Sequence, residues 1–478
     1  MKLDSIDVDV AIKKVERLLE AEQGLSGALK SAIELLLVIV ALLANRLNLN
    51  SRNSSKPPSS DPNRPRKPKG QGNNPPGGQN GHVGTTLKPV DDPDEIEVLT
   101  VDRRTLPRGH YKQVGFEVRQ VIDIDIARFV TEYRAQILED RDGDRFVAKF
   151  PEHVTRPVQY GGSVKSHAVY LSQFQLLPYQ RIQEHFVEQG EIALSAGSLY
   201  NFNQEAFERL VCFDEIARNQ LAQSPLLHVD ETGINVDGKR LWLHCASNEA
   251  WTFFHPHCKR GREAMDEMGL LPEFHGVLCH DHWKPYFIYD CTHALCNAHH
   301  LRELERAWEQ DGQAWAGKMK ALLEAINAAV SAAGGVLTAE QAEKYKRQYR
   351  ELLREAETQC PPPDESKRLG RRGRLKRSKA RNLLERLRDY EAEVLRFMEV
   401  ENVPFTNNQG ENDIRMTKVQ QKISGCFRSM DGAKMFCRIR SYLSTCRKHK
   451  VSATQALSLL FDGKWPDFIS QILLKSAE

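Results

Sequence analysis

Hydrophobic spacing at the start of the chain predicts helices. Apolar residues recur at every third or fourth position from Leu29 to Leu47, a pattern typical of a coiled-coil seam or a helical hairpin. Gly24 and Gly27 interrupt the pattern, so residues 5–48 are predicted to form two helices. The seam has two open interpretations: self-association of the chain, and packing of the helix against its own domain.

The composition changes abruptly after these helices. Residues 51–94 are rich in Ser, Pro, Gly and Asn, and they contain the basic run Arg64-Pro-Arg-Lys-Pro-Lys69. A segment of this kind cannot bury a hydrophobic core. It is therefore predicted to be a flexible basic linker.

Strand-like alternation of apolar and polar residues follows the linker. It is clearest at residues 121–126 and 129–137, and the sequence Asp140-Arg-Asp-Gly143 supplies a turn. We therefore predict a small antiparallel β module within residues 95–162.

Helical spacing returns in residues 163–222. A predicted helix has Pro178 near its start and ends at Gly190, and Ser195 is placed to cap the next helix. Two helices joined by a short turn of this kind predict a helix-turn-helix, which is a common DNA-binding unit. The same pattern occurs in ordinary helical packing, so both interpretations stay open.

After Pro225 the periodicity changes to that of β-strands. Three predicted strands are followed by a helix and a fourth strand: Leu226–Asp230, Arg240–Cys245, Ala250–His255, the helix Arg262–Leu271, and Gly276–Asp281. This is the order of a ribonuclease-H-like α/β core, in which the first and fourth strands are neighbours.

Two acidic residues stand at the ends of those neighbouring strands. A single acid at a strand end usually caps a turn, but Asp230 and Asp281 both follow apolar strands. Carboxylates that are forced together repel each other unless cations lie between them. The pair therefore predicts a site for two divalent cations, which suits phosphodiester chemistry. Glu231 and Asp237 are nearby, but strand alternation and turn position favour Asp230 as the ligand.

A third acid opens a polar, basic helix much later in the chain. Glu411 follows Asn407 and Asn408, either of which is suited to cap the helix. Asp413 lies about 200° around the helix from Glu411, at roughly 100° per residue, and is the weaker candidate ligand. Basic residues that would bind phosphate continue the Glu411 face: Arg415, Lys418 and Lys422. The alternative is that Glu411 only stabilises the helix dipole.

The interval between the second and third acids is 411 − 281 = 130 residues, which is too long for the simplest core of this type. Helical spacing within it predicts an all-helical insertion, so the expected architecture is multidomain α+β. The predicted divisions are residues 1–50 (helical), 51–94 (linker), 95–162 (β module), 163–222 (helix-turn-helix-like), 223–310 (core, first part), 311–400 (helical insertion), 401–450 (core, second part) and 451–478 (helical tail).

The composition indicates the cellular compartment of the protein but says little about its binding partners. The net charge of the 478-residue chain is only +3, although basic residues cluster locally, and such clusters are typical of proteins that bind polyanions. Ten cysteines without a signal peptide or a Cys-x-x-Cys pair favour a reducing compartment. The longest apolar run, Leu35 to Ala44, has ten residues, whereas a membrane span needs about 20. We therefore predict a cytoplasmic protein that has no membrane partner.

Together the motifs resemble the insertion-sequence-66 family of bacterial DDE transposases over nearly the whole chain. The linker motif begins Asn53-Ser-Ser-Lys-Pro-Pro, and the first two acid boxes are His228-Val-Asp230-Glu-Thr and Asp281-His-Trp-Lys-Pro-Tyr. The third box extends from Asn407-Asn-Gln-Gly-Glu411 through Ser424-Gly-Cys-Phe-Arg-Ser429. One feature departs from the family, whose members usually carry a cysteine-rich zinc module after the linker. Residues 95–150 contain no Cys.

The resemblance implies cut-and-paste movement of a mobile element through Asp230, Asp281 and Glu411, which would bind two Mg²⁺ or Mn²⁺ ions. DNA would be the partner, as the terminal inverted repeats of the element and as the target, and would contact the basic residues Arg415, Lys418, Lys422 and Arg428. A homo-oligomer and accessory proteins encoded by the same element are further candidate partners.

Cys296 and His299 resemble a Cys-x-x-His signature of transposases that carry helical insertions. The resemblance implies a role for both near the active site or the flanking DNA. A zinc site and a purely structural pair are the competing interpretations.

Two other functions stay open from the sequence. A ribonuclease-H-like nuclease that cuts DNA without joining it would use the same three acids. A DNA-binding protein without catalysis, such as a decayed transposase, would need only the helix-turn-helix.

Overall fold

The computed structural model describes residues 2–3, 6–22, 24–47, 49–50, 52–54, 87–124, 126–364, 375 and 377–477. It is a mixed α+β structure, 54% helical, with a mixed five-strand sheet. The α+β expectation is therefore confirmed. Most of the predicted linker, from residue 55 to residue 86, lies outside the described residues.

The N-terminal segment contains the two predicted helices. Two short strands, β1 (Lys2–Leu3) and β2 (Ile6–Asp7), precede α1 (Val8–Ala21) and α2 (Gly27–Leu47). The seam residues of α2 are largely exposed, with Leu36 59% and Leu43 54% accessible. Among the described residues, the seam of α2 is therefore mostly not buried against the rest of the chain.

The apolar part of α2 is longer than the sequence pattern indicated. Two charged residues, Lys30 and Glu34, do not interrupt the stretch Gly27–Ala44. By length and composition alone this stretch is long enough and apolar enough to cross a membrane, as are many core helices and signal sequences. The absence of a membrane partner stays a prediction.

The β module is much smaller than predicted. One antiparallel ladder joins β3 (Ile137–Glu139) to β4 (Arg145–Val147) around the expected turn at Asp140–Gly143. Strands are predicted at residues 121–126 and 129–137. Among the described residues of these two ranges, residue 137 alone belongs to a strand, so both predictions are otherwise wrong. The apolar side chains of these ranges are exposed and meet no second sheet, so the alternation has no buried face to stabilise it.

Residues 162–222 form helices, as expected. The helices are α3 (Gly162–Val169, continued by a π-helical turn to Phe174), α4 (Tyr179–Gly190), α5 (Ala196–Arg209) and α6 (Val211–Ala222). The Ser195 side chain accepts a hydrogen bond from Ser198 N and caps α5, as predicted. Gly190 ends α4, and Glu191 follows in the left-handed region.

The five-strand sheet follows directly. Its elements are β5 (Leu226–Val236), β6 (Lys239–Ser247), β7 (Thr252–His257), the helix α7 (Arg262–Glu267), β8 (Val277–His280) and β9 (Thr292–Leu295). The strand order is β7-β6-β5-β8-β9. Strands β5, β6 and β7 pair antiparallel, whereas β8 and β9 are parallel to β5. The predicted adjacency of the first and fourth strands is confirmed.

The remaining chain is helical. Its elements are α8 (Asn297–Glu309), α9 (Ala314–Ala332), α10 (Ala339–Gln359), α11 (Lys379–Asp389), α12 (Glu391–Leu395), α13 (Asn408–Ser424), α14 (Met430–Lys448), α15 (Ala453–Phe461) and α16 (Asp467–Ala477). Helices α8 to α12 share a hydrophobic core around Trp315, Leu323 and Tyr349, which borders the β9 edge of the sheet.

The two faces of the sheet are covered by different helices. Leu227 and Val229 of β5 face a core built with α3 to α7 and α15. Ile234 and Val236 face the opposite way, against Ile414 of α13 and residues of α14. Because side chains alternate along a strand, His228 and Asp230 share the α13 face, and Glu231 lies on the other.

The core of α8 to α12 leads to a stability prediction. Replacing the fully buried Leu323 by Ala should lower the free energy of unfolding by about 2–5 kcal/mol, because the substitution removes buried methyl groups and leaves a cavity. The matched change Leu474→Ala, at a side chain that is 68% exposed, should shift it by less than about 0.5 kcal/mol. Urea unfolding of the full chain measures both, and equal midpoints would contradict the buried core.

Candidate active site

The register of the sheet sets two of the predicted acids level with each other. Asp281 directly follows β8, as predicted, but β5 continues to Val236, so the strand end predicted at Asp230 is wrong. Strands β5 and β8 are parallel, and His228 is paired with Cys279. Two residues further along each strand, this register sets Asp230 level with Asp281. Both residues are half-buried, and each carboxylate accepts a backbone hydrogen bond at 2.9 Å, from Glu231 N and Trp283 N respectively.

The third acid acts electrostatically on this pair. Burial first, and then the neighbouring charges of Glu231, Asp281 and Glu411, together raise the pKa of Asp230 to about 8, against a hydrogen bond from Glu231 N. A charge affects a pKa in this way only at short range in a poorly solvated place. Asp281 and Glu411 therefore both lie within electrostatic range of Asp230, and the three residues are called the carboxylate cluster below.

Asn407 fixes Glu411 beside β5. It occupies the N-cap position of α13 but makes no side-chain bond to that helix. Its side chain instead hydrogen-bonds His228 Nδ1 at 2.7 Å and donates to Val229 O at 2.8 Å. Gly410 leaves room for this side chain, because a Cβ there would lie 3.3 Å from the Asn407 amide nitrogen and oxygen, which is tighter than most Cβ contacts. The start of α13 is thus attached to the strand that carries Asp230.

Asp413 is held in a different place from Glu411. Its carboxylate pairs with Lys448 of α14 at 2.8 Å and accepts a hydrogen bond from Gln409, also at 2.8 Å. Both partners of the ion pair are largely buried. Asp413 therefore anchors α13 to α14.

Glu231, which sequence reasoning set aside, lies on the opposite face of β5, and its side chain is 1% exposed. It accepts hydrogen bonds from Arg260 and from the Tyr286 hydroxyl, the latter at 2.5 Å. Arg260 also lies 4.3 Å from the Trp283 ring centroid. Tyr286 and Trp283 belong to the loop after Asp281, so Glu231 and Arg260 fasten that loop to β5.

Burial raises the pKa of Glu231, and Asp281 raises it further, whereas the Tyr286 and Arg260 hydrogen bonds oppose the rise. The only signal for this role in the sequence was the position of Glu231 next to Asp230.

Cys296 and His299 lie against the third acid. The Cys296 thiol is 3.9 Å from Glu411 Oε1, and His299 Nδ1 is 3.7 Å from the same oxygen. Burial raises the pKa of Cys296 to about 11, and burial lowers the pKa of His299. One potential ligand atom from each of the three residues lies within 4.8 Å of the others. Cys296 and His299 therefore lie beside Glu411, one of the three predicted acids.

The four predicted DNA-binding residues are all exposed, but they are not all together. Arg415, Lys418 and Lys422 lie along α13, so the stripe extends roughly 16 Å from Glu411 at 1.5 Å per residue. The Lys418 amine donates to Gly233 O, and burial lowers its pKa. Arg428 lies beside Phe427, which pairs with Val236, so it is roughly 20 Å along β5 from Asp230.

A basic cavity of about 370 Å³ is lined in part by His299. Among its lining residues are Asn53, Arg302 and Lys379. Asn53 is buried and donates to Glu309 of α8 at 3.2 Å. Neither Arg302 nor Lys379 has an ion-pair partner among the residues that the structure describes. The sequence did not single out these two cations, because only the folded chain brings α8 and α11 together.

Two comparisons with known proteins bear on this site. A family model described as "Transposase IS66 family" matches residues 157–435, which is more than half of the chain and includes all three acids. A second model, described as a family of unknown function (DUF6444), matches residues 4–88. No curated protein matches the chain. The resemblance drawn from the motifs is confirmed by the first match.

The raised pKa of Asp230 predicts that the free energy of unfolding depends on pH when a chelator keeps the protein free of metal ions. The folded protein keeps the Asp230 proton up to about pH 8, whereas an ordinary Asp loses it near its usual pKa of 3.8. The folded state therefore binds more protons between those values, and the free energy of unfolding falls as the pH rises through that window. Asp230→Asn should remove this contribution.

Urea unfolding across that pH range measures the effect as the difference between wild type and Asp230→Asn. His244, whose pKa is lowered to about 4 by burial, gives an opposite slope below pH 6.5 in both proteins and cancels in the comparison. If the free energy of unfolding changed with pH in parallel in the two proteins, the raised pKa of Asp230 would be contradicted.

Substitutions at the adjacent residues Asn407 and Asn408 test whether Asn407 attaches α13 to β5. Asn407→Ala should lower the free energy of unfolding by about 1–3 kcal/mol, because it leaves buried partners on β5 without hydrogen bonds. The exposed Asn408 is the matched control, and Asn408→Ala should change it by less than about 0.5 kcal/mol. Similar unfolding curves for the two variants would show that Asn407 does not hold the helix.

Proposed function

This chain belongs to the IS66 transposase family, and we propose that it cleaves DNA at the ends of a mobile element and joins those ends to target DNA. The proposed catalytic residues are Asp230, Asp281 and Glu411. The single observation that carries the proposal is the carboxylate cluster, in which the charges of Asp281 and Glu411 raise the pKa of Asp230.

The topology of the sheet supports a ribonuclease-H-like core. Three antiparallel strands are followed by two strands parallel to the first, in the order β7-β6-β5-β8-β9. The first and fourth strands of such a core carry its first two acids; here Asp230 lies within β5 and Asp281 directly follows β8. Helices α9 to α12 fall between the second and third acids, so we assign them to an insertion in this core.

The donor set fits two hard divalent cations. Carboxylate oxygens are the side-chain ligands that Mg²⁺ and Mn²⁺ prefer. Asp230 is buried among like charges, an arrangement that is unfavourable when it is ionised and becomes favourable when cations share the carboxylates. Asp230, Asp281 and Glu411 would hold the ions.

Bound there, two cations would stabilise the attacking and leaving oxygens of an in-line displacement at phosphorus. The chain's own part is positional: β5 and β8 fix two carboxylates, and Asn407 holds α13 so that Glu411 faces them. In the first reaction, water attacks the phosphodiester, a phosphorus–oxygen bond breaks and a 3′ hydroxyl leaves. In the second, that hydroxyl attacks a target phosphodiester in the same way. No covalent bond to the protein is formed.

Two groups of basic residues near the carboxylate cluster support binding of a DNA backbone. Arg415, Lys418 and Lys422 extend from Glu411 along α13. Arg302 and Lys379 line the cavity that His299 also lines. Contacts of this kind neutralise phosphates and position the duplex without reading its sequence. Sequence recognition is assigned to helices α4 and α5, which form the helix-turn-helix-like unit.

We further propose that the chain acts as a homo-oligomer through α2. The helix is apolar on most of its surface, and Leu35, Leu36, Leu42 and Leu43 are each more than half exposed. Apolar residues repeated at this spacing are the seam of a coiled coil. Accessory proteins encoded by the element are further proposed partners.

The proposed chemistry predicts a metal-dependent reaction that each acid supports. In Mg²⁺ or Mn²⁺, wild type should cleave a labelled duplex that ends in the inverted repeats flanking its own coding sequence, and chelation should abolish cleavage. Asp230→Asn, Asp281→Asn and Glu411→Gln should each lower the rate by at least about a hundredfold, because each removes a charged metal ligand.

Asp237→Asn is the matched control for these variants. Asp237 is an exposed acid seven residues beyond Asp230, in a left-handed turn that Asn also adopts readily. The Asp237→Asn variant should cleave at a rate within about twofold of wild type, which corresponds to a difference of well under 1 kcal/mol in the activation free energy. Full activity in all three acid variants would overturn the assignment.

The products separate the three candidate functions. Joined products with a target plasmid support the transposase proposal. Cleavage without joined products indicates a nuclease that does not join ends. Binding of the duplex without cleavage in either metal indicates a DNA-binding protein without catalysis.

A further inference from the structure

We propose that Cys296, His299 and Glu411 form a binding site for a thiophilic divalent cation of the Zn²⁺ type, and that its occupancy withdraws Glu411 from the carboxylate cluster. The existence of this site is independent of the proposed function. Only its consequence for catalysis rests on the role proposed for Glu411.

The geometry of the three donors is close to that of a zinc site. Their ligand atoms lie within 4.8 Å of one another, with 3.9 Å from Cys296 Sγ to Glu411 Oε1 and 3.7 Å from His299 Nδ1 to the same oxygen. Tetrahedral zinc with ordinary bond lengths sets its ligand atoms roughly 3.3–3.7 Å apart. A contraction of at most about 1.5 Å between any two of the ligand atoms would therefore close the site around an ion.

The backbone around Cys296 is arranged to support a thiolate. Cys296 is the N-cap residue of α8, and its sulfur accepts a hydrogen bond from Asn407 N at 3.1 Å. Such N–H groups stabilise a metal-bound thiolate as outer partners of the ligand. Binding would release the thiol proton to solvent as the metal–sulfur bond forms.

His299 supplies the second ligand. Its Nδ1 atom is buried and has no hydrogen-bond partner among the residues that the structure describes. A buried ring nitrogen without a hydrogen-bond partner lowers the stability of the folded protein unless an ion or a water molecule binds to it. Asp281 is also within electrostatic range of this ring and is a candidate for a fourth ligand.

The site differs from the carboxylate cluster in the metal that it selects. Sulfur and imidazole favour Zn²⁺ or Co²⁺ over Mg²⁺, whereas a set of carboxylates favours Mg²⁺ or Mn²⁺. Because Glu411 contributes to both, an ion held by Cys296 and His299 competes for the third acid. Zn²⁺ should therefore inhibit Mg²⁺-dependent cleavage.

Cobalt absorption of the full chain tests the site directly, since Co²⁺ replaces Zn²⁺ and its bond to a thiolate gives a near-ultraviolet charge-transfer band. One equivalent of Co²⁺ should produce that band with visible bands of tetrahedral geometry, and Zn²⁺ should displace it. Cys296→Ser should abolish the charge-transfer band. His299→Ala, which keeps the thiol, should weaken Co²⁺ binding by at least about tenfold.

Cys426→Ser and Cys258→Ser are the controls, because both cysteines are exposed and lie on other parts of the chain. Both variants should keep the band. Absence of the band in wild type, or its persistence in Cys296→Ser with a folded circular dichroism spectrum, would overturn the proposal. Loss of the band in Cys258→Ser instead would assign the metal to a different thiol and would also overturn it.

Cleavage provides a separate readout. Zn²⁺ inhibition, measured relative to the zinc-free rate of each protein, should be weaker in His299→Ala than in wild type by the same factor as the Co²⁺ affinity. Undiminished inhibition in His299→Ala would contradict the competition for Glu411. If the protein cleaves no DNA, the proposed function fails while the cobalt spectra still decide the metal site.

Discussion

Mutual repulsion of buried carboxylates is the constraint on which the architecture around the site depends. Asp230 lies among Glu231, Asp281 and Glu411, and its pKa is raised to about 8 by burial and by their charges. In the absence of cations, such a group is stable only if other contacts hold it together. The parallel pairing of β5 with β8 fixes two members, and packing of α13 on β5 fixes the third.

Those contacts are neutral or oppositely charged side chains placed just outside the cluster. Asn407 attaches the start of α13 to His228 and Val229 O. On the other face, Glu231 binds Arg260 and Tyr286 and so attaches the loop that follows Asp281. The contacts of Asn407 and those of Glu231 each join segments that are far apart in sequence. Neither set of contacts occupies the carboxylates of Asp230 and Glu411, so these two can share a ligand. A rigid frame around repelling charges is what a binding site for divalent cations requires.

Local pattern predicted the local features well. Strand periodicity identified β5 to β8, Ser195 was identified as a helix cap, and helical phase separated Glu411 from Asp413. Features that depend on long-range contacts were missed. Asn407 looks like an ordinary cap until the fold brings it to β5, 178 residues away. Alternation at residues 121–126 looks like strand, but no second surface buries it. Arg302 and Lys379 gain significance only where α8 and α11 line one cavity.

The central claim is that Asp230, Asp281 and Glu411 meet around divalent cations. Anomalous diffraction from crystals of the full chain soaked in Mn²⁺ tests it most directly, because the scattering locates the ions without reference to activity. The account predicts manganese peaks within about 2–2.3 Å of carboxylate oxygens of Asp230 and Asp281, with Glu411 as a further ligand. Peaks confined to other acidic residues, or none at this edge of the sheet at saturating Mn²⁺, would contradict it.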